Sequence, residues 1–390
     1  MTWLHAFGFA TLSLSLLLSG CKSDPPPPPA LVTSATAGPD STATAGVRVK
    51  HGLDAARRSG KVPRLQPATM KRYRAQACYF GSQGLKVARD AYIGSLAGSE
   101  PSAKKLPTFG EYPEHAKLKE RFESKGRKAV FWGRGLPFVR HLRSCAIAKT
   151  LDKGKDAAVD AALGRFDGYA GPLNKTLMEA HRYYARNEYE KDEFRQGRSF
   201  HAQLTKAFAD LDAQIESFSA AMDPWLRGLG PVSEKQDEGA KVASKAVMEA
   251  RVLTLDALAS TADAAGVKVA LDALGLTRDA LQARQTSAKR EPHPRVVMPR
   301  LKQFVEAATK LSEALATGTK LSASALYPTT SAMAALVEAN HRAHSHLLRR
   351  AAGAGPMRML KPPMHHIGTA PTTAPVRAGA SAAAAPSSAK

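Results

Sequence analysis

Cysteine, aromatic residues and acidic residues are all scarce in this chain, and these scarcities exclude several classes of protein. Only 3 of the 390 residues are cysteine, which excludes a disulfide-rich scaffold. Aromatic residues make up 6% of the chain, and composition also excludes a collagen and a protein with several membrane spans. The chain has 34 Asp and Glu and 56 Lys and Arg, so its formal net charge is +22 at pH 7.

Sequence motifs of common catalytic and cofactor sites are absent as well. The chain has no GxxxxGK[ST] phosphate loop, GxGxxG turn, GxSxG elbow or HExxH zinc helix. We therefore expect no enzyme activity, no catalytic residue, no cofactor and no dedicated metal site. The one cluster that resembles a metal site is His341, His344 and His346, and no carboxylate closer than Glu338 completes it.

The first twenty residues are typical of an export signal. The apolar run over 6–18 is too short for a membrane-spanning helix, which needs about 20 residues. The Leu-Ser-Gly-Cys sequence over 18–21 resembles the lipobox of bacterial lipoproteins. This resemblance implies a signal peptide over 1–20, a lipid on Cys21 and anchoring in the cell envelope, whereas the alternative is an ordinary signal peptide with an incidental cysteine. Because Lys22 and not Asp follows Cys21, the resemblance implies the outer membrane, with the chain facing the periplasm.

Segments of low complexity flank a central region. Five prolines occupy 25–29 and Ala, Thr, Gly and Ser dominate the next thirty residues, so we interpret 21–60 as a disordered, lipidated tether. Residues 351–390 are rich in Ala, Pro, Ser and Thr and contain no carboxylate. Too few large apolar groups remain there to offset the entropy of ordering, which predicts a disordered tail. A folded domain is expected over 61–350.

Apolar residues in the central region recur at steps of three or four, the spacing of an amphipathic helix. Such stripes run over 163–184, 204–222 and 301–315, and no stretch shows the sustained alternation of a strand. The pattern predicts an all-α fold, an elongated bundle of long antiparallel helices. We expect the second stripe to end at 223–224, and the last helix to begin near Tyr327, where the next residue, a proline, suits a first turn.

The two cysteines that lipidation would leave, Cys78 and Cys145, are a candidate disulfide. An even pair in an oxidising compartment indicates a bond. The alternative is two small buried hydrophobes whose thiols do not meet, because a disulfide needs a short Cα separation. With no CxxC pair and no Cys/His zinc spacing, the pair indicates a structural link rather than redox or metal chemistry.

One motif in the middle of the chain carries a family resemblance. A helix that ends in paired tyrosines is followed by a Tyr-x-x-Asp connector and a Gly-x-x-x-His opening of the next helix. The members are Tyr183, Tyr184, Tyr189, Asp192, Gly197 and His201. Together with Cys78 on the first helix and Asn340 on the last, this order is similar to the YiiG-like domain-of-unknown-function family of bacterial lipoproteins, over about 68–350. The resemblance implies a lipidated, mostly helical protein and assigns no activity or ligand.

Polar residues on two helices are candidate contacts for a ligand or for neighbouring helices. The tyrosine rings of the motif suit either a seam between helices or a ligand cleft that includes His201, and Asp192 is a candidate cap for the following helix. Asn340 and His344 fall on the apolar side of the last helix. Buried polar groups need hydrogen-bond partners, so these two residues either fix the register of that helix or contact a ligand.

Positive charge is concentrated in one part of the chain. Residues 61–155 contain 21 Lys and Arg against 7 Asp and Glu, whereas 156–238 contain 10 against 15. A basic segment favours anionic partners, although a generally basic proteome would give the same excess. In the envelope the candidate partners are anionic lipid, lipopolysaccharide and wall polymer, and not nucleic acid. We therefore expect a structural or binding role at the membrane through a basic surface, with a small-ligand or metal-binding carrier as the alternative.

Overall fold

The computed structural model describes residues 64–110, 136, 139–232, 237–259, 262–288, 290–318 and 321–351. The predicted signal peptide, Cys21, the tether and all but the first residue of the tail lie outside these ranges. Helices account for 81% of the described residues, none of which belongs to a strand, so the all-α fold class is confirmed. No helix in the described ranges has the length and apolarity that crossing a bilayer requires.

The helices vary from one turn to about eight turns in length. In chain order they are α1 Pro67–Ser82, α2 Gly84–Leu96, α3 Val139–Ala148, α4 Ala157–Ala185, α5 Tyr189–Asp192, α6 Arg195–Ala209, α7 Leu211–Gly228, α8 Glu238–Leu258, α9 Ala264–Ser287, α10 Pro292–Ala316 and α11 Ala323–Ala351. Two of the predicted apolar stripes lie within single helices, α4 and α10. The stripe over 204–222 is divided between α6 and α7, which meet at Asp210.

Two predicted helix boundaries at prolines are wrong. Helix α7 continues past Pro224 to Gly228, and the side chain of Leu226 beyond the proline is fully buried. Helix α11 begins at Ala323, so Pro328 lies inside it rather than in its first turn. A proline removes one backbone hydrogen bond and disturbs the preceding turn. Burial of the apolar residues on both sides of each proline outweighs that local cost.

Helix α1 packs against helices from both halves of the described chain. It contacts α3 and α7 on the N-terminal side and α11 on the C-terminal side. Helices α8 to α11 pack against one another, while α4 packs against α3, α6 and α7. The buried apolar residues of these helices form one continuous core. A residue on α1 can therefore meet side chains that are more than 200 residues away in sequence.

A disulfide joins α1 to α3. Cys78 and Cys145 are bonded, with a Cα to Cα distance of 4.9 Å, and both are buried. A methyl group at Gly81, one turn further along α1, would lie 2.1 Å from Cβ of His141 on α3. The two helices can approach this closely only because residue 81 has no side chain.

An ion pair between a buried lysine and a partly exposed aspartate joins α1 to the beginning of α4. Lys71 is 2% exposed, and its Nζ lies 2.6 Å from Oδ1 of Asp160 in the first turn of α4. Lys71 also donates to the carbonyl of Asp152 at 3.1 Å. Burial acts to raise the pKa of Asp160, but hydrogen bonds from Lys71 and from the Gly154 amide outweigh burial and lower this pKa below its usual value.

Candidate anion-binding site

A cavity of about 400 Å³ lies where α1, α3 and α11 meet. Small-molecule sites in proteins usually have volumes of about 300–1,000 Å³, so this cavity is large enough for a small ligand. Its lining residues are Arg74, Arg143, Ser144, Ile147, Glu338, His341 and Arg342. We call it the arginine cavity, because among the described residues three guanidinium groups line it against one carboxylate.

Each arginine of the cavity comes from a different helix. Arg74 lies on α1 one turn before Cys78, and Arg143 lies on α3 two residues before Cys145. The disulfide therefore links the two helices that carry these arginines close to the point where the side chains leave the backbone. Arg342 on α11 completes the set through the packing of α11 against α1.

The guanidinium of Arg74 has an unused donor. Its Nε is buried and has no hydrogen-bond partner among the described residues. A guanidinium offers five N–H donors, and a buried donor left unpaired costs about 1–3 kcal/mol. Arg143 and Arg342, in contrast, are exposed. The cavity thus has one half-buried arginine and two that solvent reaches.

The other titratable groups in the described part of the lining do not cancel this positive charge at neutral pH. Burial, with a smaller contribution from Arg74, lowers the pKa of His341 to about 4, so this imidazole is neutral at pH 7. Its Nε2 lies 2.9 Å from Sδ of Met70. Glu338 is 8% exposed, and one of its carboxylate oxygens is 3.7 Å from Nδ1 of His141. Because guanidinium groups stay protonated at any pH a protein meets, the positive charge is permanent.

The predicted histidine cluster is divided between two environments. His341 lines the arginine cavity, whereas His344 is buried against α1 and α10. Among the described residues, no group of three or more His, Cys, Asp or Glu side chains is arranged to hold a metal ion. Three guanidinium groups beside His341 would also repel a cation. The cavity is therefore suited to an anion.

Asn340 and His344 both contact Tyr73 on α1. The amide of Asn340 donates to Oη of Tyr73 at 3.4 Å, and Nδ1 of His344 lies 3.4 Å from the same oxygen. The ring of His344 packs edge to face against His293 on α10, with centroids 5.6 Å apart. Burial lowers the pKa of His293 to about 3 and keeps it neutral. Of the two roles considered for Asn340 and His344, this geometry fits register between helices.

The tyrosine motif joins the end of α4 to the start of α6. Tyr183 donates from Oη to Asp192 at 2.6 Å, and Asp192 accepts from the backbone amide of Gln196 at 2.9 Å. Asp192 thus caps the first turn of α6. The hydrogen bond from Tyr183 is the largest influence that lowers the pKa of Asp192. A methyl group at Gly197 would lie 2.7 Å from Oη of Tyr184, so the glycine makes room for the ring.

The other aromatic residues of the motif also contact one another. Nδ1 of His201 lies 3.2 Å from Oη of Tyr92 on α2, and Tyr92 is 1% exposed. Tyr189 stacks on Phe194 with ring centroids 4.8 Å apart, and it also meets the rings of both paired tyrosines. These rings occupy the seam between α2, α4 and α6. The geometry fits a packing motif rather than a ligand cleft.

Sequence reasoning missed the arginine cavity. The charge excess over 61–155 includes Arg74 and Arg143 but does not distinguish them from nineteen other basic residues. Arg342 lies outside that segment altogether. No local pattern brings these three residues together, because their proximity depends on the packing of α1 against both α3 and α11.

The fold and the site define an all-helical protein with a basic, ligand-sized cavity. A sequence model of a protein family, described as "Protein of unknown function (DUF3829)", matches residues 145–342, just over half of the chain. The chain belongs to this family. The matched segment includes Arg342, whereas Arg74 and Arg143 precede it. No curated protein and no solved structure matches the chain.

Proposed function

We propose that this chain is a lipid-anchored protein of the bacterial cell envelope that binds an anionic group in the arginine cavity. One observation supports the binding role above all others. Three guanidinium groups from three helices line a cavity of about 400 Å³, and one of them has a buried Nε without a partner. Arginine binds carboxylate and phosphate oxygens through paired hydrogen bonds, so anionic lipid, lipopolysaccharide and wall polymer are suitable partners.

The placement in the envelope rests on the lipobox at 18–21. We propose that Cys21 carries the lipid, that 21–60 tether the helical body, and that the outer membrane holds the anchor with the body in the periplasm. On the order of the tyrosine motif, we further propose that the chain is one of the YiiG-like lipoproteins. Replacing Cys21 by Ser should abolish partitioning into detergent and leave helical circular dichroism unchanged. Equal partitioning of the two forms would contradict the anchor.

Binding by the body is tested on a soluble form that begins at Lys22, so that no lipid contributes. We expect it to sediment with vesicles of phosphatidylglycerol and not with phosphatidylcholine. The binding should weaken steeply between about 0.1 M and about 1 M salt, where the Debye length falls from about 10 Å to about 3 Å. Absence of any preference for anionic vesicles or lipopolysaccharide at low salt would overturn lipid and lipopolysaccharide as the partners.

Variants separate the cavity from the rest of the basic surface. Changing all three cavity arginines to Gln should remove the salt-sensitive binding. A control with the same charge change replaces three exposed basic residues elsewhere by Gln: Arg165, Arg182 and Lys302. A second set reverses four basic residues of the 61–155 segment to Glu: Lys104, Lys105, Arg127 and Lys128. Loss of binding in the second set alone would place the contact on the wider basic surface.

A further inference from the structure

We propose that the arginine cavity binds a small organic molecule through a phosphomonoester group. This inference rests on the proposed function, because it narrows the class of anion that the cavity takes. It is supported by the volume of the cavity, by the number and origin of its guanidinium groups, and by the neutral groups beside them.

The volume indicates a ligand larger than an inorganic ion. About 400 Å³ is the space of about thirteen water molecules in the liquid, at about 30 Å³ each. A phosphate ion, with one phosphorus and its oxygens, would fill only a small part of it. Ile147, which is half-buried, adds an apolar side chain to the wall. The cavity therefore has room and an apolar contact for an organic body of about the size of a monosaccharide.

The number of arginines indicates a dianion with several acceptor oxygens. A carboxylate is planar, and one guanidinium satisfies both of its oxygens. A phosphomonoester has three terminal oxygens and a charge of about −1.5 to −2 at pH 7. Three guanidinium groups, from α1, α3 and α11, offer more donors and more positive charge than one carboxylate needs. The hydroxyl of Ser144, which is 1% exposed, is an additional neutral donor in the lining.

The pH dependence of binding distinguishes the ligand's ionisation from that of the protein. In the described ranges, the charged and titratable groups at the cavity are Arg74 from α1, Arg143 and His141 from α3, and Glu338, His341 and Arg342 from α11. The arginines do not titrate, and His341 is neutral above its pKa of about 4. The second ionisation of a phosphomonoester, with a pKa of about 6, removes one of the ligand's charges as the pH falls and should weaken its binding.

The experiment is isothermal titration of the soluble form with glucose 6-phosphate and glucose 6-sulfate. The two ligands have the same shape, but the sulfate ester keeps a single charge. We expect glucose 6-phosphate to bind about tenfold more tightly than the sulfate at about pH 7.5, and to lose this advantage at about pH 5. Changing Arg143, which is exposed, to Gln should weaken phosphate-ester binding about tenfold, whereas Arg165→Gln should leave it unchanged.

The outcomes separate this inference from the proposed function. Equal affinity for the two esters would overturn the phosphomonoester class while leaving anion binding in place. If inorganic phosphate binds as tightly as glucose 6-phosphate, the claim that the cavity contacts the organic part of the ligand is wrong. Failure of every anion, including anionic vesicles, would overturn both proposals. If vesicles of phosphatidic acid, a lipid phosphomonoester, displace bound glucose 6-phosphate, the source of the group is a lipid headgroup. If only other sugar phosphates displace it, the ligand is a soluble molecule.

Discussion

Breaking the disulfide between Cys78 and Cys145 should destabilise the helical body substantially. The bond closes a loop with a sequence separation of 67. In the chain-entropy treatment, a loop of this length restricts the unfolded chain by an amount equivalent to about 4.4 kcal/mol at 25 °C. With a urea dependence of about 3 kcal/mol per molar, the unfolding midpoint should fall by about 1.5 M.

The assay is urea unfolding of the soluble form, which lacks Cys21 and so has no third thiol. Both cysteines are buried, so the protein must be reduced while unfolded and then refolded under reductant. The Cys78→Ala, Cys145→Ala double variant gives a second measurement of the same loss. Equal urea midpoints for oxidised and reduced protein would refute the reasoning. Because α1 and α3 each carry a cavity arginine, reduction should also weaken anion binding.

Two further predictions concern packing and charge within the body. Gly197→Ala should lower the free energy of unfolding by about 1–3 kcal/mol, measured by heat or urea, because the new methyl group would meet the buried Tyr184 hydroxyl. The control is Gly164→Ala, at an exposed helical site with open space, which should raise the free energy of unfolding by about 0.5–1 kcal/mol. Equal effects of the two substitutions would contradict the packing. Lys71→Met should cost about 1–2 kcal/mol at pH 7, because Asp160, which is partly exposed, loses its charged partner and keeps the Gly154 amide. Since the pKa of Asp160 is lowered in the folded state, the difference in free energy of unfolding between wild type and variant should be complete above about pH 4. It should decline as the pH falls through the lowered pKa. A difference that does not change with pH would contradict the ion pair.

Much of the fold can be predicted from the sequence because helix formation here depends on local periodicity. The stripe over 163–184 lies within α4 and that over 301–315 within α10. The errors occur where tertiary packing outweighs a local signal. Leu226 remains buried beyond Pro224, and apolar residues of α11 remain buried on both sides of Pro328. In both helices the energy of burial exceeds the cost of one lost hydrogen bond.

The candidate site could not be predicted in the same way. The tyrosine motif is conspicuous because its residues are close in sequence, and its contacts explain it as packing around Gly197. The arginine cavity joins Arg74, Arg143 and Arg342, which no spacing rule connects. Charge density indicated an anionic partner, but the location of the contact depends on how α1 packs between α3 and α11.

Nuclear magnetic resonance of the arginine side chains tests the central claim most directly. The Nε–H signals of the soluble form are followed while glucose 6-phosphate is added at low salt, with single Arg→Gln variants to assign them. Anion binding in the cavity predicts saturable shifts confined to Arg74, Arg143 and Arg342, with the largest at the buried Nε of Arg74. Shifts distributed over exposed arginines such as Arg165, or no shift at the three cavity arginines, would contradict the account.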